Sequence, residues 1–343
     1  MNIIVAAGGL SPERDVSLAS GQLIAKALIA KGNNAVMIDI SSDIEDKDLI
    51  DFFKRNVTMQ TSYAISEHAP IFEDETDNRK HAIGKNVLEV CKLADIVFIA
   101  LHGDIGENGK FQALLDIYGV KYTGTNSLGS AIAMDKDISK QLLKNNGILT
   151  PMWAYLDLEQ EYDRSINLEQ LADWQLQFPV VVKPVSCGSS IGVSIVHDSA
   201  ELQTALNAAR LYEDCVILEQ YVQGREMTVG ILNHMALPII EIKPRNGFFD
   251  YKNKYQPGLT DEICPADVNE ELKCELQDLA LKVHKILRLG SYSRIDFIIS
   301  ESKDIYCLEA NTLPGMTHAS LLPKAAKAYG LTYEDLCEQI LSL

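Results

Sequence analysis

The stretch RIDFIISESKDIYCLEANTLPGMTHASL, residues 294–321, sets Arg294, Asp296, Glu309 and Asn311 among apolar, strand-forming neighbours. Two such runs flank the polar turn Ser300-Glu301-Ser302-Lys303-Asp304, so a hairpin is the simplest local fold. Side chains alternate between the faces of a strand, which groups Arg294 with Asp296 and Glu309 with Asn311. In the simplest register all four share one face, and Ile295, Phe297, Leu308 and Ala310 take the other. A cross-strand Arg294–Glu309 salt bridge on a solvated face would explain part of this pattern. It leaves Asn311 and the following Thr-Leu-Pro-Gly turn unexplained. Two carboxylates and an amide oxygen are hard donors that suit magnesium, which prefers one or two carboxylates completed by water and substrate phosphates. The ribbon therefore asks for a phosphate held elsewhere in the chain.

With 343 residues the chain exceeds one ordinary core, and two or three domains are expected. A hydrophobic content of 47% with 23% charged residues is that of a soluble globular protein. No apolar run reaches membrane-span length. The opening MNIIVAAGG lacks a basic n-region and reads as a first strand rather than a signal peptide. Seven cysteines, at 91, 187, 215, 264, 274, 307 and 337, show no metal-ligand spacing, and their odd number argues against a disulfide framework. A reducing cytoplasm is the expected location. A net charge of −17 excludes nucleic acid and anionic membrane as partners, so any polyanion bound must be small and met by a few local cations. A nucleoside triphosphate with magnesium meets that condition.

The first segment alternates strands and helices. NIIVAA, NAVMIDI and ADIVFIAL read as strands, with a helix over DVSLASGQLIAKALIAKG and another over KFQALLDIY that Gly119 closes. Residues 41–86 are polar and acidic and read as a surface insertion with one helix near EDKDLIDFFKRN. Ligands of open parallel sheets gather beyond the carboxyl ends of the strands, where Glu13 and His102 both fall. SAIAMDKDISKQLLKNNG reads as one helix carrying Lys136 in its interior. In FPVVVKPVSCGSSIGVSIV a strand bearing Lys183 runs into a loop of small residues ending at Gly192, and a second strand follows. A Walker loop must open a helix, so this is not one, yet backbone N–H groups can approach an anion there and Lys183 supplies charge. CVILEQYVQGREMTVGIL gives a strand, a Glu-Gln-Tyr-Val hinge able to present backbone groups to an adenine edge, and a further strand on which Glu226 could accept from a ribose. Residues 245–264 form a long aromatic, lysine-bearing loop of the kind that serves as a lid.

The order of these parts resembles the ATP-grasp fold. With GGLSPERDVSLASG at the front, ALHGDIGENG in the middle and EANTLPGMTHASL at the end, the resemblance narrows to the D-alanine–D-alanine ligase family, over nearly the whole chain except residues 41–86. It implies an α/β protein, α+β in its C-terminal half, of three domains: a parallel-sheet domain over 1–125, a central lobe over 126–218 and a C-terminal lobe over 219–343. The nucleotide is then expected between two mixed-sheet lobes. It further implies ATP and D-alanine as substrates, two Mg2+ or Mn2+ ions, and a homodimer. By the same resemblance Lys136 and Lys183 are phosphate lysines, and Ser189, Ser190 and Gly192 belong to the loop over the phosphates. Glu219 and Val222 match the adenine hinge, Glu226 the ribose contact, and Asp296, Glu309 and Asn311 the metal ligands. Glu13, with His102 beside it and Glu107 behind, matches the site of the first D-alanine. Glu13, Ser189 and Tyr255 match a trio tethering the mobile loop. Lys254, Ser320 and Leu321 match the receivers of the second carboxylate, and Arg294 with the Gly315 N–H the stabilisers of the tetrahedral centre. Cys187 and Gln220 depart from commoner versions of the pattern. The family includes forms that use D-serine or D-lactate second; Lys254-Tyr255 and Ser320-Leu321 resemble the D-alanine form.

Overall fold

In a computed structural model of the chain, the described residues are 1–46, 49, 51–55, 63, 65, 81–159, 168–245, 253–254, 256 and 258–342. Tyr255 and most of the acidic stretch read as an insertion lie outside them. The first three apolar runs become β1 (Asn2–Ala7), β2 (Asn34–Asp39) and β3 (Ile96–Ile99), a parallel sheet in the order β2-β1-β3. Ile3 to Ala7 are buried without alternation, as a central parallel strand covered on both faces requires. The helix Arg14–Ala30 follows β1, so the loops after β1 and β3, with Glu13 and His102, open at one carboxyl edge.

Two antiparallel sheets follow among the described residues. The central one contains β4 (Trp153–Asp157), β5 (Val180–Pro184), β6 (Ser194–Val196) and β7 (Cys215–Gln220) in the order β4-β7-β5-β6. The other holds β8 (Gly224–Leu232), β9 (Met235–Ala236), β10 (Ile240–Pro244), β11 (Thr260–Ile263), β12 (Tyr292–Ser300) and β13 (Ile305–Asn311) in the order β11-β10-β8-β12-β13, with β9 on β8. Neither lobe is mixed, contrary to the expectation. Chain neighbours β5 and β6, β10 and β11, and β12 and β13 pair directly, and a pair closed by its own turn is antiparallel.

The hairpin register sets Arg294 opposite Asn311 and Asp296 opposite Glu309, as the alternation predicted. Phe297 then faces Cys307, which leaves Leu308 as an extra residue in a bulge. The bulge lets Cys307 and Ala310 both enter the core while Leu308 and Glu309 line a cleft, so Leu308 does not join the apolar face assigned to it. A second correction concerns Lys136. The expected single helix is two, Ser127–Met134 and Lys136–Asn145, broken at Asp135, whose side chain accepts from the Ile138 N–H at 2.9 Å. An aspartate that caps its own following turn holds an extended backbone, which ends the first helix and starts the second. Lys136 is thus the first residue of a helix, not an interior one.

The helices Leu321–Tyr329 and Tyr333–Leu341 return to the first sheet. Leu336, Cys337 and Ile340 share one core with Ile3, Ile24 and Phe98, and Lys31 reaches Asp335 and Glu338 at 2.6 and 3.1 Å. The central sheet has a separate core around Val180, Leu206 and Val216. Among the described residues no helix is long and apolar enough to cross a membrane.

Candidate active site

The polar face of the hairpin extends onto β8. The register sets Arg294 beside Gly230, Asp296 beside Thr228 and Ile298 beside Glu226, while Met227, Val229, Ile231, Ile295 and Phe297 fill the core behind. Arg294 pairs with Asp296 through two bonds of 2.9 and 2.8 Å, not with Glu309 as a plain cross-strand bridge would have it. Thr228 Oγ1 and Asn311 Nδ2 also donate to Asp296, at 2.6 and 3.0 Å. Burial by itself would raise the Asp296 pKa, but Arg294 and Thr228 outweigh it and hold the carboxyl below its ordinary range.

Facing this hairpin across a cleft is the central lobe. Lys136, Lys183, Cys187, Ser190, Gln220, Val222 and Glu226 line the cleft together with Asp296, Leu308 and Glu309. The start of its own helix carries Lys136, whose Nζ donates to the Cys187 carbonyl at 2.6 Å and lies 3.9 Å from Glu309. Lys183 Nζ donates to Glu219 Oε1 at 2.8 Å, and Lys140 Nζ lies 2.5 Å from Glu219 Oε2. The carboxylate of Glu219 therefore faces two lysines. Burial would lift its pKa, but the two ammonium groups prevail and hold it low. Lys140, 1% exposed, is pushed down to about 8 by burial, against the pull of Glu219. Ser189 and Ser190 both adopt positive φ, 51° and 58°, an unusual conformation outside glycine that persists only where neighbours fix it. Gly192 does not line the cleft; its φ is +70°, and a Cβ there would stand 2.8 Å from Pro184 and 3.0 Å from Tyr212, so only glycine fits the turn. Glu226 is pushed up to about 7, first by burial and then by Asp296 and Glu309, with Lys254 acting oppositely.

A smaller cavity adjoins the cleft, with Lys254 on both walls. Its lining brings together Glu13, His102, Glu107, Arg294, Gly315 and Ser320, along with Ser189, Asn311 and Leu321. Glu13 accepts a short hydrogen bond from Ser189 Oγ, which ties the first domain to the loop of the central lobe. Gly103 and Gly188 flank it so closely that a Cβ on either would stand 2.7 Å from Glu13 Oε2. Burial raises the Glu13 pKa, with Ser189 and Lys254 opposing. Glu107 accepts from the Gly103 and Leu313 N–H groups at 2.8 and 3.3 Å; burial and then the nearby Glu13 push it up to about 7. His102 is pushed down to about 4, chiefly by burial, so its imidazole is neutral near pH 7. Ser320 Oγ accepts from the Thr317 N–H at 3.0 Å and lies where a Cβ on Gly315 would come within 2.8 Å. The arrangement sets a cation-lined cleft against a pocket offering both carboxylates and cations, as a zwitterion requires.

Among the described residues no three His, Cys, Asp or Glu side chains gather as a cation cluster. The donor set still fits a hard divalent ion, since Asp296 and Glu309 are direct ladder partners, Asp296 is held ionised, and Asn311 adds an amide on the same face. Water and phosphate oxygens would have to complete the shell. Two residues of the site escaped the sequence reading. Lys140 stands one turn beyond Lys136, and that spacing was its only signal. Thr228 stands two residues after Glu226, on the same strand face.

Two antiparallel lobes facing across a lysine-lined cleft, closed at one end by a parallel-sheet domain, define the ATP-grasp class. Within that class the particular family is evident from known proteins. Residues 2–125 match the family description "D-ala D-ala ligase N-terminus" and residues 142–342 match "D-ala D-ala ligase C-terminus"; the chain belongs to the D-alanine–D-alanine ligase family. It is 44% identical to the D-alanine–D-alanine ligase of Pediococcus pentosaceus, over 99% of this chain and 96% of that one. Identity to the D-alanine–D-alanine ligase of Lacticaseibacillus casei is 42%, over 100% and 95% of the two chains. The fold matches the crystal structure of D-alanine–D-alanine ligase from Bacillus anthracis complexed with ATP, with TM-score 0.76, 33% identity and coverage of 100% and 96%. It also matches VanG D-Ala:D-Ser ligase from Enterococcus faecalis, with TM-score 0.75, 26% identity and coverage of 100% and 98%.

Proposed function

We propose that this chain joins two D-alanine molecules into D-alanyl-D-alanine at the expense of ATP, through a D-alanyl phosphate, and so supplies a peptidoglycan precursor in the cytoplasm. The observation that carries this reading is the shared wall of the two cavities: Lys254 lines both, and the Arg294–Asp296 pair has one partner on each side. A phosphate donor and a small zwitterion would meet at that wall.

A carboxylate is a poor electrophile, so the first D-alanine must be activated. Its oxygen attacks the γ-phosphorus, ADP leaves, and Lys136 and Lys183 offset the charge on the transferring group. The hinge running from Glu219 to Val222 meets the adenine, Glu226 the ribose, and Ser189, Ser190 and Gly192 belong to the loop over the phosphates. Asp296, Glu309 and Asn311 would hold two Mg2+ or Mn2+ ions, which supply positive charge to the phosphates when bound. Glu13 holds the ammonium of the first D-alanine, and Lys254, Ser320 and the Leu321 backbone receive the carboxylate of the second. The second amine must shed a proton before attack. Glu13 and His102 line the pocket through which that proton leaves, His102 as a weak base because burial holds it at about 4. Nitrogen then bonds to the carbonyl carbon, the oxyanion is met by Arg294 and the Gly315 N–H, and phosphate leaves as the carbonyl re-forms. Thr260–Ile263, read as part of a loop over 245–264, is instead strand β11 paired with β10; Tyr255 and the segment leading to that strand are expected to shield the acyl phosphate from water. The expected assembly is a homodimer.

Mass spectrometry of the product from ATP, magnesium and D-alanine tests the reading. D-alanyl-D-alanine with one ADP per dipeptide is expected. Product formed only when D-serine or D-lactate is added as second substrate would overturn it.

A further inference from the structure

Lys140 is enclosed by protein, yet it is charged and lines neither cavity. Its Nζ lies 2.5 Å from Glu219 Oε2, donates to Thr150 Oγ1 at 2.6 Å and sits 5.1 Å over the Trp153 ring, whose Nε1 donates to Asp137 at 2.7 Å. The other oxygen of Glu219 holds Lys183 at 2.8 Å. Glu219 is thus a hub between a lysine that reaches the cleft and one that does not.

Charge counting gives this hub a purpose. A buried Lys183–Glu219 pair alone is neutral, and its field largely cancels at any phosphate in the cleft. With Lys140 the three groups carry one net positive charge, and only Lys183 presents it to the cleft. Stability is a poor explanation for the arrangement, because burying three charges costs several kcal/mol per ion and apolar side chains of equal volume would pack the same space more cheaply.

We propose that Lys140 is a positioning residue for nucleotide binding: it neutralises Glu219 from behind, so that Lys183 faces the triphosphate with its charge uncancelled. This rests on the proposed reading of Lys183 as a phosphate lysine.

The test is calorimetric titration of the full chain, with magnesium, by a non-hydrolysable ATP analogue. Lys140→Met should weaken analogue binding by roughly thirtyfold, the lower end for truncating one member of a buried charge pair. Lys140→Arg, which keeps the charge, should bind nearly as wild type does. The decisive variant is the double substitution Lys140→Met with Glu219→Gln, which again leaves Lys183 with one net charge and should recover most of the lost affinity. A strut would behave oppositely, because removing both partners disrupts the packing further. Wild-type affinity in Lys140→Met, or a double variant weaker than the single, overturns the proposal. Should Lys140→Met fail to fold, the double variant carries the same comparison against wild type. Lys183→Met separates the two readings: if it binds the analogue normally, the assignment of the cleft itself is at fault.

Discussion

The wall of the smaller cavity holds two buried groups with opposed titration, and their substitution should reveal slopes that the intact chain conceals. Glu107 has an ordinary pKa of 4.5 and sits at about 7 in the fold. Between those values the folded chain keeps a proton that the unfolded chain has lost, so stability falls as pH rises. At about 1.4 kcal/mol per unit the fall is about 3 kcal/mol. His102 has an ordinary pKa of 6.5 and sits at about 4. Between those values the unfolded chain holds the extra proton, so stability rises with pH, again by about 3 kcal/mol. The two contributions oppose each other through most of their span. Glu107→Gln removes the falling arm, so the stability of the variant minus that of the wild type should climb by about 3 kcal/mol from pH 4.5 to 7. His102→Gln should give a difference that drops by a similar amount from pH 4 to 6.5. Urea unfolding followed by far-ultraviolet circular dichroism at half-unit steps of pH gives both curves. The sign of each difference is independent of any constant cost of the substitution. Flat difference curves across these windows would refute the argument that burial governs both groups.

Three further outcomes follow from the geometry. Glu309→Gln should lower ATP-dependent phosphate release at least about a hundredfold with the fold intact, the scale of losing one group that stabilises a charged transition state; steady-state assay with a circular dichroism control checks it, and normal turnover removes the residue from the chemistry. Ser189→Ala deletes the donor to Glu13 and should cost about 1.5 kcal/mol, or about tenfold in kcat/KM for D-alanine, at the low end for a bond to a charged acceptor because water can partly replace it. Asp135→Ala removes the cap at the helix break and should destabilise the chain by about 1 kcal/mol in urea titration, while also raising KM for ATP because Lys136 starts the capped helix.

Much of this site could be read from residue order, and the part that could not has physical reasons. Alternation alone grouped Arg294, Asp296, Glu309 and Asn311, since period-two patterning survives wherever one face is buried. The bulge at Leu308 could not be read, because one extra residue among Tyr306, Cys307 and Leu308 leaves the run just as apolar. The break at Asp135 was signalled by an N-cap residue, but the good helix formers on both sides hid it. Lys140 sits on a helix whose spacing gives no sign of burial, and its burial depends on Glu219, far along the chain on a strand of the central sheet. The same distance hid the direction of the Glu219 carboxylate: a hinge motif specifies the backbone path, whereas two lysines from elsewhere decide where the side chain goes.

The return of the last two helices to the first sheet has a consequence for biosynthesis. A domain made early on the ribosome usually folds before the rest has emerged. Here Leu336, Cys337 and Ile340 line the interior that Ile3 and Ile24 also build, and the helix Tyr333–Leu341 lies against Arg14–Ala30. The amino-terminal unit of a nascent chain therefore lacks part of its wall until residues 333–341 have emerged. A chain cut before residue 321 would leave apolar side chains of the helix Arg14–Ala30 uncovered, a ready target for chaperones and proteases. The smaller cavity, lined by Glu13 and His102 from the first domain and by Ser320 and Leu321, is accordingly complete only once the helix Leu321–Tyr329 has formed.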